Sequence, residues 1–414
     1  PHAVVIATGC YAQMEPEALA ALGDRVVVVK GEHKSILLSL AAWLSENWQG
    51  HGDLLLAVRQ WQEEHEQHPP LQSSGGTVQP APLADRFAFH PQRYAMHTRP
   101  ALKIQDGCNH RCAYCRVCLA RGPAISLPAE EVLRRVRTLE AAGKAEVVLT
   151  GVNLAQYRDG EIDFPRLVRL LVEGTSHIAF RISSYEPERI DEAFLAMFAL
   201  ERVRPHLHLS VQSGCTDTLR RMARPYDAPR VARAVQQLRE ARRDPFLAAD
   251  IIAGFPGETS EEFETSLALL RELDFAWIHA FPFSPRPGTP AATMKPHVPE
   301  RETHARVARL TALAKEGRAR YIQRWLGSSV EMIIERSDGQ EDGEEVTTAS
   351  ADDHSLQSSS PARSCITGTT ANYLKVLVEV PASMPHESLK PGTVLHVHLD
   401  SPAAGSHADI LGYL

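Results

Sequence analysis

The sequence of 414 residues has no long hydrophobic run. Its most apolar stretches, Arg25-Val-Val-Val-Val-Lys30 and the segment from Ile36 to Leu44, are too short or too broken by polar residues to span a bilayer, so no membrane segment is expected. It also lacks the basic start and small-residue cleavage site of a secretory leader. The chain opens Pro-His-Ala-Val-Val-Ile-Ala-Thr-Gly-Cys, without methionine, as though in mid-strand. The expectation is a cytoplasmic protein whose start is missing. There is no excess of positive charge either, and a formal net charge of -7 gives no hint of a polyanionic partner. Cysteine is scarce outside one place: Cys108, Cys112, Cys115 and Cys118 crowd one loop, and only Cys10, Cys215 and Cys365 lie elsewhere. An odd, clustered set of thiols argues against a disulfide framework and suits metal or cluster ligation in a reducing compartment.

Charge is unevenly distributed. From 301 to 326, Arg301, Arg306, Arg309, Lys315, Arg318, Arg320 and Arg324 stand against only Glu302 and Glu316. A basic stretch at helical spacing could touch phosphates, or could be an ordinary solvated helix face.

The length allows two or three domains. Residues 1–48 read as the tail of an α/β unit, with strands Val4–Ala7 and Val26–Val29 and helices at Pro16–Leu22 and Ser35–Trp48. Residues 49–97, rich in Gln, His, Pro, Ser and Gly, read as a linker. From 98 to 326 strand and helix alternate. Apolar runs at Leu102–Ile104, Glu146–Leu149, Ile178–Ile182, Leu207–Val211, Leu247–Ala253 and Trp277–Phe281 are separated by amphipathic stretches such as Glu130–Ala142, Phe164–Glu173, Arg230–Ala241 and Glu261–Leu273. Such repeats imply a parallel sheet covered by helices, a partial (β/α)6 barrel with its chemistry at the C-terminal ends of the strands. Residues 327–414 read as a small all-β domain, with strands near Val330–Ile334, Tyr373–Val380, Val394–Leu399 and Ile410–Leu414, and with a polar, acidic insertion, 337–364, expected to be disordered.

The thiol loop follows the first barrel strand. Cys108, Cys112 and Cys115 make C-x3-C-x2-C, and three thiolates on a tight loop can hold three irons of a cubane cluster while the fourth stays open. A structural zinc knot and plain buried thiols are the competing readings, but zinc sites usually take two separated ligand pairs, and Cys118 has no distant pair to complete one. The loop, including Tyr114 between the last two cysteines, resembles that of radical S-adenosylmethionine enzymes. The resemblance implies that the open iron chelates S-adenosylmethionine, which an electron from the cluster splits to a 5′-deoxyadenosyl radical. Cys118 departs from the pattern, which has proline there. Were it a fourth ligand, the site would become an electron-transfer cluster.

Further fragments resemble the methylthiotransferase family in order along the chain: Ala7-Thr-Gly-Cys-Tyr-Ala-Gln13, Leu149-Thr-Gly-Val-Asn-Leu154, Arg181-Ile-Ser-Ser184, Leu209-Ser-Val-Gln-Ser-Gly214, Asp250-Ile-Ile-Ala-Gly-Phe-Pro-Gly-Glu258 and Phe281-Pro-Phe-Ser-Pro-Arg-Pro-Gly-Thr-Pro290. The Thr-Gly-Val-Asn-Leu form and Gly368-Thr-Thr-Ala-Asn-Tyr-Leu-Lys375 are most similar to the branch acting on N6-threonylcarbamoyladenosine beside the tRNA anticodon. The branches for isopentenyladenosine and for a ribosomal protein stay open, as does a radical enzyme that has lost sulfur insertion. The last domain resembles the TRAM module, an RNA-binding barrel, yet from Ser328 onward its bases are only Arg336, Arg363, Lys375 and Lys390.

The resemblance implies that Gly151 and Asn153 line the cofactor's amino-acid end, with Ser183, Gln212, Asp250 and Gly254 around its ribose and adenine. Glu186 and Glu258 bind or cap helices, while His206 and His208 are packed or hydrogen-bonded. Cys10 matches the last of three ligands to a second four-iron cluster that carries the sulfur to be inserted. Cys215 and Cys365 are expected to be ordinary small side chains. The partners implied are the tRNA anticodon loop, an electron donor such as flavodoxin or ferredoxin, and a sulfur donor of unknown identity.

Overall fold

The computed structural model describes residues 3–48, 50–66, 86–88, 98–337, 364–380, 384, 386–403 and 408–414. At the N-terminus, Val5–Gly9 and Val26–Lys30 pair in parallel, and a helix at Leu54–Glu66 covers them. That helix corrects the reading of 49–97 as a structureless linker. Leu55, Val58 and Trp61 recur at helical spacing beneath a polar composition and bury against Val27 and Val29, and Trp61 Nε1 donates to Ser39 Oγ at 3.1 Å. Residues 67–85 and 89–97 of the same stretch lie outside the described residues.

Six parallel strands form the central sheet. Ala101–Lys103, Glu146–Thr150 and Ala179–Ile182 make one run, and His206–Gln212, Phe246–Ala253 and Trp277–Pro282 the other. Tyr185 joins the two runs, donating its N–H to the His208 carbonyl at 2.8 Å and accepting from Ser210 N at 3.1 Å. The first and sixth strands are not paired, so the curved sheet is an open barrel of the (β/α)6 kind. Helices cover its outside. Several start where an Asp or Thr side chain accepts the third N–H of the turn: Asp163, Asp191, Asp227 and Thr259. Every strand points its C-terminal end to the same rim, where the loops gather.

The opposite end is closed by charge and aromatic rings. Glu146, almost wholly buried, accepts from Arg181 Nε and Arg204 Nε, each at 2.7 Å, and Arg204 also pairs with Glu331 of the C-terminal domain. His206, Phe246 and Tyr373 form a triangle of rings, His206 lying 5.5 and 4.2 Å from the other two centroids. Beyond them lies a closed five-stranded barrel, Ser329–Ser337, Ser364–Thr370, Lys375–Val380, Ile410–Tyr413 and Val394–Pro402 in spatial order. Ser364–Thr370 is a strand that the reading of the sequence did not include. The acidic insertion expected to be disordered falls, at 338–363, outside the described residues.

Five of the six arginines on the helix Glu300–Trp325 are paired with acids, while Arg301 and Lys315 are exposed with no ion pair among the described residues. Arg306 pairs with buried Glu258 at 2.6 Å, Arg309 with Glu264, Arg318 with Asp409, Arg320 with Asp274 at 2.7 Å, and Arg324 with both Asp244 and Asp274 at 2.8 Å. The helix is basic because it faces acids on the barrel and on the C-terminal domain. Among the described residues no helix is long and apolar enough to cross a membrane.

Candidate active site at the mouth of the barrel

The loop after the first strand is pinned at several points. Gly107 has φ +70, and a Cβ there would fall 2.0 Å from the Pro123 carbonyl oxygen, so only glycine fits. Asp106 Oδ1 accepts from Gly107 N at 2.9 Å and from Arg121 at 3.1 Å, and Oδ2 accepts from Lys103 at 2.7 Å. Farther along, Ala113 N donates to the Met222 carbonyl at 2.9 Å, and the Ala113 carbonyl accepts from Ala291 N at 2.8 Å. Gln105 ties this loop to the next one: its amide nitrogen donates to the Asp106 and Gly107 carbonyls, and its oxygen accepts from Asn153 N at 2.8 Å.

Each of the three spaced sulfurs is met by donors. His110 N lies 3.4 Å from Cys108 Sγ, with Asn153 Nδ2 at 3.8 Å and Gln156 Nε2 at 3.7 Å. Val117 N lies 3.4 Å from Cys115 Sγ, and Arg224 Nη1 lies 3.0 Å from Cys112 Sγ. Donors aimed at sulfur favour thiolate, the form that binds metal. Burial pushes the Cys112 and Cys115 thiols up, so neither is an activated nucleophile. Among the described residues no three His, Cys, Asp or Glu side chains converge on one point as a single ion requires. Three thiols on one tight loop, each met by an N–H donor, are a donor set that fits a four-iron cluster. Cys118 sits on the short helix Val117–Arg121 that leads away from the loop.

Arg224 also donates to Glu186. Burial pushes the Glu186 carboxyl up to about 7 against the pull of Arg224. Together they present a cation and an anion side by side next to Cys112. Arg224 was missed in the sequence, because it lies 112 residues from that thiol and no local pattern marks it. Gln105, Gln156 and Arg121 were missed because each acts by touching another segment: Gln105 meets Asn153, Gln156 meets Cys108 and Arg121 meets Cys10.

The other expected residues are placed variously. Gln212, at φ 65, and Asp250 line a cavity of about 450 Å³ at the strand ends, and Asp250 Oδ1 lies 2.8 Å from His208 Nε2. The Ser183 hydroxyl is buried without a partner. Gly151 is needed for packing, since a Cβ there would fall 2.9 Å from the Cβ of Gln105. Gly254 lies apart: at φ +77 it faces Thr303 of the long helix, whose Oγ1 stands 2.2 Å from where a Cβ would be. Glu258 pairs with Arg306 and accepts from Gly254 N at 2.7 Å, which is a structural task.

A second cavity, of about 740 Å³, opens between the N-terminal unit and the barrel mouth, with Cys10 and Cys115 both on its wall. Cys10 Sγ accepts from Arg121 Nε at 3.1 Å. Tyr114 and Arg286 line both cavities.

A parallel half-barrel with a C-x3-C-x2-C loop at its mouth defines a radical S-adenosylmethionine protein, and the model of the Radical SAM superfamily matches residues 102–270. The threonylcarbamoyladenosine tRNA methylthiotransferase MtaB of Treponema pallidum is 41% identical over 371 residues, covering 81% of this chain and 77% of its own. The MtaB of Thermotoga maritima is 33% identical, covering 81% and 71%. The tRNA-2-methylthio-N(6)-dimethylallyladenosine synthase of Erythrobacter litoralis is 34% identical over shorter spans, 62% and 59%. The chain belongs to the MtaB family of methylthiotransferases.

Proposed function

We propose that this chain places a methylthio group at C2 of N6-threonylcarbamoyladenosine next to the anticodon of tRNA. The observation that carries the reading is the donor-ringed loop of Cys108, Cys112 and Cys115 at the barrel mouth, in a chain 41% identical to a relative named for that reaction. These three thiolates would each hold one iron of a four-iron cluster. When bound, the cluster and S-adenosylmethionine supply the electron and the radical chemistry that open an unactivated C–H bond. Everything else falls to the protein. Arg224 suits the carboxylate of the cofactor's amino-acid end and Glu186 could accept from its amino N–H, since the two stand together beside Cys112. Asn153, held by Gln105, would orient the same end, with Gly151 keeping that turn tight. Ser183, Gln212 and Asp250 offer hydroxyl, amide and carboxylate groups to ribose and adenine. Gly254 acts at one remove, by letting the long helix approach. Cys10 faces the same 740 Å³ cavity as Cys115 and would be one ligand of a second cluster there, within reach of the same substrate.

On this reading 1–66 contributes to the second cluster site, 98–326 is the catalytic barrel and 327–414 a TRAM-like domain. An electron donor such as flavodoxin or ferredoxin, and a source of sulfur, complete the partners, in the cytoplasm. The test is mass spectrometry of tRNA nucleosides from a strain lacking the gene. N6-Threonylcarbamoyladenosine should accumulate without its 2-methylthio form. Loss of the methylthio group from isopentenyladenosine instead, or no change in either, would contradict the assignment.

A further inference from the structure

The sixth strand carries a ladder of rings that ends at the mouth. Trp277, His279 and Phe281 alternate onto one face, with centroids 6.0 Å apart for the first pair and 6.4 Å, nearly parallel, for the second. His279 also stacks on His208 at 4.8 Å, two strands away, across a middle strand that sets Ala248 opposite His208 and Asp250 opposite His279. At the top stands Phe281, 48% exposed, the one exposed phenylalanine among the described residues, on the wall of the 450 Å³ cavity. A large ring left in water at a cavity wall has a face free for a flat partner.

Five residues on, Arg286 stands on the rim of the same cavity and of the larger one. Four other arginines around the mouth are paired: Arg116 to Glu15 at 3.0 Å, Arg121 to Asp106 at 3.1 Å, Arg221 to Glu262 at 2.6 Å, and Arg224 to Glu186. No carboxylate lies within ion-pair distance of Arg286 among the described residues. Its charge faces the opening.

We propose that the mouth clamps the nucleotide to be modified, with its base stacked on Phe281 and its flanking phosphate paired with Arg286. This rests on the tRNA reading above. A base extruded from its loop into the lumen leaves its backbone outside, so the phosphate falls at the rim where the guanidinium is exposed. The threonyl carboxylate of the substrate is a second anion that an arginine could bind, and the experiment separates the two.

Binding of a labelled anticodon stem-loop to the anaerobically reconstituted chain should be measured at several salt concentrations, once with N6-threonylcarbamoyladenosine and once with plain adenosine. Phe281→Ala should weaken binding by about 10-fold with an unchanged salt slope, as loss of stacking does. Arg286→Ala should weaken it and lower the log–log salt slope by about 0.7–1, the contribution of one phosphate, while Arg286→Lys keeps the slope. Both losses should be equal on the two RNAs. A loss for Arg286→Ala confined to the modified RNA would place the carboxylate there and overturn the phosphate assignment. Wild-type affinity in both variants would overturn the clamp while leaving the tRNA reading intact. Failure of the wild-type chain to bind either RNA would overturn that reading as well.

Discussion

Arg224 sets its guanidinium 3.0 Å from the sulfur of Cys112, bridging 112 residues of chain. A cation against a ligand sulfur stabilises the thiolate and tunes whatever it binds, and the same guanidinium holds Glu186. Arg224→Met should therefore leave iron content near normal, because three thiols remain, yet weaken binding of S-adenosylmethionine roughly 10–100-fold. Titration calorimetry on the reconstituted protein would measure it. Loss of iron together with affinity would show instead that Arg224 only holds the loop in place.

Glu186 predicts a pH dependence. Its carboxyl sits at about 7, above its ordinary value of 4.5, mainly through burial. A raised acid carries a proton in the folded state that the unfolded chain has lost. Its contribution to stability is thus complete below the ordinary value and disappears as pH rises through about 7. An ionised carboxylate accepts the cofactor's amino N–H better than a protonated one, so affinity for S-adenosylmethionine should rise between about pH 6 and pH 8 and should be flatter in Glu186→Gln. Equal profiles for the two proteins would remove Glu186 from the site.

Cys118 separates a chelating cluster from a fully ligated one. Cys108→Ala, Cys112→Ala and Cys115→Ala should each lose most of the iron, whereas Cys118→Ala should keep it along with reductive cleavage of S-adenosylmethionine. Iron and acid-labile sulfide counts, with 5′-deoxyadenosine as the product assay, decide the point. A Cys118 variant that loses iron would make it a ligand.

The base of the barrel should matter for folding rather than chemistry. Burial pushes the Glu146 carboxyl up, but Arg181 and Arg204 outweigh it and hold it below the ordinary carboxylate range. A depressed acid adds stability above that range and loses it as pH falls through the folded value. Glu146→Ala leaves buried Arg181 without a carboxylate and Arg204 with Glu331 alone, and should destabilise the chain by about 3–5 kcal/mol in denaturant unfolding. A loss under about 1 kcal/mol would mean that water reaches the pair.

Much of this was legible in the chain. The six strands announce themselves as short β-rich runs between amphipathic stretches, and the thiol loop by its spacing alone. The helix Leu54–Glu66 was hidden because Gln, His and Glu fill its outer face and mask Leu55, Val58 and Trp61. Ser364–Thr370 was hidden because a strand of small polar residues, Ser-Cys-Ile-Thr-Gly-Thr-Thr, borders an acidic insertion and lacks a strong apolar alternation. The pairing of the basic helix was hidden for another reason: its partners Asp244, Asp274 and Asp409 are distant in sequence, so only the fold shows that most of its arginines already meet acids. Arg224 and Gln105 belong to that class too, since a residue that works by touching a far segment carries no local mark.

The most direct test is the electron paramagnetic resonance spectrum of the anaerobically reconstituted, reduced chain before and after addition of S-adenosylmethionine. An iron cube held by Cys108, Cys112 and Cys115 predicts a four-iron signal that shifts when the cofactor occupies its open corner, with the shift weakened in Arg224→Met. A signal that ignores S-adenosylmethionine, or no four-iron signal at all, would contradict the account.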